Sequence, residues 1–150
     1  MALKNATLYD YKGLNSRLDE IQAAFMRVKL WHLENEIMSR RKVASNYLKQ
    51  IINPLIGLPA LTGSNAHVWH LFVIKCQERD KLLKHMHDSG VQCLIHYPIA
   101  PHKQIAYSEY VSQSLPITAA LQDTVLSFPI SPTLTDAEQQ QVVNAVNGFR

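Results

Sequence analysis

The stretch from Arg17 to about Gln50 limits the folds open to this chain more than any other feature, because neither proline nor glycine interrupts it. Apolar residues recur along it at helical steps: Leu18, Ile21, Phe25 and Val28 first, then Leu30, Leu33, Ile37, Ala44, Leu48 and Ile51. Read as one helix rising 1.5 Å per residue, it is roughly 50 Å long. That is longer than the rest of a small domain can cover. The sequence therefore predicts that part of the apolar surface is buried against a larger domain or a second subunit, so that the chain self-associates. The charges suit one continuous helix, with Asp19 and Glu20 at the positive end of its dipole and Arg40, Arg41, Lys42 and Lys49 toward the negative end. Glu36 and Arg40 stand four apart in the favourable order.

The start of that stretch is a loop turning into a helix. Ser16 is placed to cap it by accepting from the amide of Asp19. Gly13 allows the preceding turn backbone angles closed to other residues. Asn15 and Arg17 then project from one corner, a neutral amide beside a guanidinium fork, which suits a phosphate. By spacing alone, the same residues also read as an ordinary cap and a solvated charge.

Pro54, Gly57 and Pro59 end the helix. A strand is expected over His67 to Ile74, with Val68, His70, Phe72 and Ile74 on one face and His67, Trp69, Leu71 and Val73 on the other. A short helix from Asp80 to Ser89 is stopped by Gly90, and a strand follows over Val91 to Tyr97. Next come a helix near Pro116 to Asp123, a strand near Val125 to Ile130, and a helix from Asp136 to Phe149. This last helix has Thr135 and Glu138 as its capping box and Val142, Val146 and Phe149 as its buried stripe. The fold class is α+β: a long helix, then a small antiparallel or mixed sheet with helices on one side.

The 150 residues suffice for one domain with a real core, at 47% hydrophobic and 18% charged. The formal charge of +3 is scattered, which argues against nucleic acid. Met1 to Thr7 lacks the apolar run of a secretory signal, and Ile51 to Leu61 is too broken by Asn53, Pro54, Gly57 and Pro59 to span a bilayer. Cys76 and Cys93 have no metal or redox spacing and read as free thiols in a reducing cytoplasm. The seven histidines do not assemble a metal site: His67 and His70 leave opposite faces of a strand, and His85 and His87 diverge on a helix. His96 and Tyr97 stand apart from these because they end a strand before Pro98, where side chains can reach a cleft. A plain strand end with a surface loop is the other reading.

Gly13-x-Asn15-x-Arg17-x-Asp19-x-x-Gln22-Ala23-Ala24, followed by Lys29-Leu30 and Arg40-Arg41, resembles the signature of the DegT/DnrJ/StrS nucleotide-sugar aminotransferases. His67 to Ile74 resembles that family's first small-domain strand, and Ile95-His96-Tyr97-Pro98-x-x-Pro101-His102 its substrate-side loop. Leu126-Ser127-Phe128-Pro129-Ile130 resembles its closing strand, which usually has leucine where Phe128 stands. The resemblance implies the small C-terminal domain of a fold-type I enzyme dependent on pyridoxal phosphate (PLP). It implies a dimer that moves an amino group from glutamate to a keto-sugar on a nucleoside diphosphate, in lipopolysaccharide or antibiotic sugar biosynthesis. It assigns Asn15 to the cofactor phosphate of the neighbouring subunit, Arg17 to the sugar or diphosphate, His96 and Tyr97 to the substrate side, and His102 to the same loop.

The family's large domain, with its Schiff-base lysine, precedes the glycine-asparagine-arginine motif. Here twelve residues do, and neither Lys4 nor Lys12 has the serine-containing context of that lysine. The expectation is residues 1–12 as a remnant leading from a missing large domain, 13–53 as the phosphate-side loop and interface helix, and 54–150 as a small α+β domain. Such a chain resembles a C-terminal part with no catalytic residue of its own, inactive alone and binding no PLP alone. The alternative is a non-catalytic dimerisation or nucleotide-sugar-binding module derived from the family.

Overall fold

The computed structural model describes residues 8–15, 17–60 and 66–150. Helices α1 (Glu20–Leu30) and α2 (Leu33–Gln50) lead into strand β1 (Phe72–Lys75) and helix α3 (Arg79–Asp88). Two short 3-10 helices, Pro101–Lys103 and Ile105–Tyr110, precede α4 (Pro116–Thr124), β2 (Val125–Phe128) and α5 (Asp136–Gly148).

The expected single helix is two. Trp31 and His32 form a turn whose amides reach back three residues, to Val28 and Lys29, before α2 restarts. The reason lies in the pattern, because the stripe ending at Val28 and the stripe beginning at Leu30 are out of phase. A straight helix would present them to different sides. The first turn differs as well. Asp19 is the N-cap, its carboxylate accepting from the amide of Ile21 at 2.9 Å, and α1 begins at Glu20 rather than Arg17. The expected Ser16 cap lies outside the described residues. Gly13 is not in the left-handed region; among described glycines only Gly90 is, at φ 76°. Gly90 closes α3 as expected: its amide bonds His87 and that of Val91 bonds Met86, satisfying the last carbonyls.

β1 and β2 pair antiparallel, with Phe72 opposite Phe128 and Ile74 opposite Leu126. A bridge from Gly57 to Lys75 extends the outer edge of β1, and one from Leu94 to Ser127 extends that of β2. Gly57 allows a close approach there, since a Cβ would stand 3.3 Å from that of Lys75, tighter than ordinary contact. The expected strand over His67 to Ile74 shortens to four residues. The ring Nδ1 of His67 accepts from the Trp69 amide, and Trp69 takes φ 52°, so the alternation breaks and Trp69 packs inward on Phe72. The strand over Val91 to Tyr97 reduces to the Leu94 bridge, and β2 stops at Phe128 because Pro129 has no amide to extend the ladder.

The core lies between the sheet and α2, α3 and α5. Val43, Ala44 and Tyr47 of α2, Leu82 and Met86 of α3, and Val142, Val143 and Val146 of α5 close on Phe72, Ile74, Leu126 and Phe128. Burial of each large apolar side chain contributes about 1.5–3 kcal/mol. The α5 cap is the expected box, Thr135 accepting from the Glu138 amide while Glu138 accepts from that of Thr135. α1 stands apart: it buries none of its residues, and Ile21, Phe25, Val28 and Trp31 are all exposed, Trp31 to 85%. Among the described residues no helix is long and apolar enough to cross a membrane.

Candidate functional site

Two regions carry the residues singled out by the sequence. The first is the segment before α1. Its beginning is tied to the 3-10 helices: the Tyr9 amide donates to the Gln104 side chain at 3.1 Å, and the Ala106 amide to the Tyr9 carbonyl at 2.8 Å. Lys12 pairs with Glu109 and lies 5.3 Å from the centre of the Tyr107 ring. That pairing holds the Glu109 carboxyl below its ordinary range. From Gly13 to Leu18 the described residues make no such tie. Asn15 and Arg17 are exposed and make no hydrogen bond with a described residue.

The second region is the end of the sheet. The Leu94–Ser127 bridge fixes the chain so that His96, two residues on, meets the side chain of Ser127, with Nδ1 3.0 Å from Oγ. The half-buried His96 ring is braced edge-on by Tyr97, 6.0 Å between centroids. It forms part of the wall of two cavities. One, of about 270 Å³, is lined also by His70, Gln92, Leu94, Ser127 and Pro129. The other, of about 200 Å³, is lined also by Tyr97, Ile99, Thr118, Gln122 and Val125.

The walls are held by backbone bonds made from the helices. Arg40 donates to the Ile130 carbonyl at 3.2 Å and the Tyr47 hydroxyl to that of Pro129 at 3.0 Å, which fixes the exit from β2. Burial pushes the Tyr47 phenol well above its ordinary pKa, so it remains a donor. The Gln122 side chain of α4 accepts from the Ala100 amide at 3.0 Å, and Gln104 donates to the Ile99 carbonyl.

The structure thus brings His96 and Tyr97 together. His102 is buried on a separate cavity of about 280 Å³, with Pro101, Tyr107, Tyr110 and Gln113. Asn15 and Arg17 line none of these three cavities. Sequence reasoning missed Ser127, His70 and the Gln104 tie, because each depends on which segments pair across the sheet end. Among the described residues no three of His, Cys, Asp and Glu converge to hold a metal ion. His85 and His87 do diverge, since His85 Nε2 binds the Ala145 carbonyl and His87 faces solvent.

The family model for DegT/DnrJ/EryC1/StrS aminotransferases matches residues 2–147. The chain belongs to this family. As a DegT/DnrJ/EryC1/StrS member it is 48% identical over 139 residues to the dTDP-3-amino-3,6-dideoxy-alpha-D-galactopyranose transaminase of Aneurinibacillus thermoaerophilus, covering 93% of this chain and 38% of that protein. Its fold matches the crystal structure of DesV from S. venezuelae with a TM-score of 0.82 and 37% identity, over 96% of this chain and 40% of that one. It also matches Bacillus subtilis NtdA, solved with bound cofactor PMP, with a TM-score of 0.77 and 31% identity, over 89% of this chain and 33% of that one. The chain therefore spans between about a third and two fifths of these family members' length.

Proposed function

We propose that this chain supplies the phosphate-side loop and the substrate-side wall of a PLP-dependent aminotransferase that moves an amino group from glutamate to a nucleotide-linked keto-sugar. The observation that carries this reading is the position of His96 on two cavities in a chain 48% identical to a sugar transaminase. The sugar product would feed a surface polysaccharide or an antibiotic, and the enzyme would act in the cytoplasm, where the buried Cys76 and Cys93 stay as thiols.

Each residue has a role in this reading. Asn15 reaches the cofactor phosphate of the neighbouring subunit, and Arg17 provides a bidentate cation for the sugar or diphosphate. His96 and Tyr97 offer polar groups to sugar oxygens, and His102 supports the same loop from its buried position. Residues 13–53 act as loop and interface helix, 54–150 as the small domain. The exposed apolar side of α1 is covered by the large domain and by a second copy of the enzyme.

PLP supplies the electron sink for amino transfer, and the chain's own residues fit only part of its site. The Asn15 amide makes no hydrogen bond with a described residue and suits the phosphate; among the described residues no lysine lines either His96 cavity, and Lys12 is held by Glu109. On this reading the chain turns over substrate only when the rest of the enzyme is present. The second reading is a nucleotide-sugar-binding or dimerisation module without chemistry, which the exposed apolar side of α1 and the His96 wall would also serve.

A hybrid separates these readings. The chain replaces the matching part of the Aneurinibacillus transaminase, and amino transfer from glutamate to a dTDP-linked keto-sugar is measured. Transfer is expected; a folded hybrid that retains PLP without turnover would favour the binding module. Asn15→Ala should weaken PLP retention in the hybrid more than removal of the helix cap by Asp19→Ala, whereas equal losses would reduce the motif to helix capping. With the chain alone, PLP and borohydride should leave no stoichiometric lysine adduct.

A further inference from the structure

We infer that Ser127 is a positioning residue for His96: its hydroxyl donates to Nδ1, so that the neutral ring keeps its proton on Nε2 and presents an N–H donor to an oxygen of the substrate. The inference rests on the substrate-side reading of His96 for its use, but its geometry stands on the sheet alone. Ser127 is 4% exposed, and both of its backbone polar groups are already engaged with Leu94, the amide at 2.8 Å and the carbonyl at 3.1 Å. Its Oγ has one partner among the described residues, His96 Nδ1 at 3.0 Å.

Two arrangements are open to that contact. If Nδ1 carried the proton and donated to Oγ, the hydroxyl would find no protein acceptor among the described residues and would depend on water in the adjoining cavity, which is the less favourable arrangement. If the hydroxyl donates to Nδ1, both atoms are satisfied. Nε2 then carries the only ring proton, and a neutral imidazole has only that N–H to offer. The backbone arranges the encounter: the Leu94–Ser127 bridge sets the register, and the edge-on Tyr97 ring limits rotation of the imidazole.

The group recognised at this wall is therefore an acceptor: a sugar hydroxyl or carbonyl oxygen or a diphosphate oxygen, not an ammonium. Gln92 and His70 on the same cavity add polar groups around it.

The test uses the 15N-labelled chain at a pH where the ring is neutral, with long-range proton–nitrogen correlation spectra and His96 assigned by its loss in His96→Gln. The wild-type spectrum should show the Nε2–H form alone; a dominant Nδ1–H form overturns the inference without any variant having to fold. Ser127→Ala should move the tautomer ratio about fivefold toward Nδ1–H, the loss of one hydrogen bond, and Ser127→Thr should restore it. A general packing role for Ser127 would leave the ratio unchanged in Ser127→Ala, and that result refutes the positioning role. A titration with dTDP-glucose distinguishes the functional reading. Perturbation of the His96 Nε2 signal is expected, and its absence would overturn the substrate-side role while the tautomer measurement stands by itself.

Discussion

Asn53 joins the end of α2 to the end of α5, and its removal provides a direct measure of how the long helix is fastened to the small domain. Its side-chain amide donates to the carbonyls of Val146 at 2.8 Å and Phe149 at 2.9 Å, and its oxygen accepts from the Leu55 amide at 2.9 Å. The residue is 9% exposed, so water replaces these bonds poorly. Each such bond contributes about 1 kcal/mol net, and a buried carbonyl left without its partner costs about 1–3 kcal/mol. Asn53→Ala should therefore destabilise by about 2–4 kcal/mol, allowing for relaxation of the helix end. At about 2–4 °C per kcal/mol for a chain of this size, the midpoint should fall by about 5–15 °C.

Differential scanning calorimetry checks this, with agreement of the calorimetric and van't Hoff enthalpies confirming a two-state transition. A midpoint within about 2 °C of wild type would refute the argument. Asn53→Asp refines the test, because a carboxylate would face two carbonyl oxygens and its folded-state pKa would be raised. Stability linked to a raised pKa is present at low pH and lost as pH rises, so this variant should recover toward wild type on acidification. Asn147→Ala is the contrast: it also bridges the two helix ends, from Ile52 and to Gln50, but in exposed positions, and should cost only about 1 kcal/mol.

Burial pushes the Cys93 thiol up to about 12, so Ellman's reagent at pH 8 should react slowly with the native chain and with both cysteines once it is unfolded; rapid native reaction would count against the buried core. The Thr135 hydroxyl and amide hold the Glu138 carboxyl below its ordinary range, so the cap contributes at neutral pH and is lost as pH falls through that titration. Thr135→Ala should cost about 1 kcal/mol at pH 7 and flatten the acid limb of the stability curve, with an unchanged limb contradicting the cap. Lys12→Ala should raise hydrogen exchange at the Tyr9 and Ala106 amides, and unchanged protection would mean that backbone bonds alone hold the segment. Sedimentation should show self-association through α1; a monomer at high concentration with α1 well formed would argue against it.

The later helices are legible in the sequence where each has a period and an end signal of its own. Thr135 and Glu138 marked α5, and Gly90 marked the end of α3, each through contacts within a few residues. The break at Trp31 was written in the phase shift between two stripes, yet no glycine or proline announced it. The strands were overdrawn because apolar alternation reports burial, not pairing. Val91 and Cys93 are buried as a strand face would be, but only Leu94 bridges. Asn53 read as a breaker in an apolar run because its partners lie more than 90 positions away. Ser127 was hidden for the same reason: its role exists only once Leu94 pairs beside it.

These contacts divide the proposed site into a part the chain organises itself and a part it does not. The His96 wall is fixed from several sides, by Ser127, Tyr97, Gln122 and the carbonyls held by Arg40 and Tyr47. Asn15 and Arg17 have no such support among the described residues: they precede a helix with no buried residue, between a tied segment and an uncovered apolar side. A hydrogen-bonding group contributes most to recognition when its orientation is settled before the ligand arrives, since otherwise the ordering cost is met on binding. On the proposed reading, the phosphate-side residues gain their orientation only when another surface covers α1, whereas the substrate-side wall needs none. Covering α1 should therefore sharpen the contribution of Asn15 and Arg17 and leave the His96–Ser127 geometry unchanged.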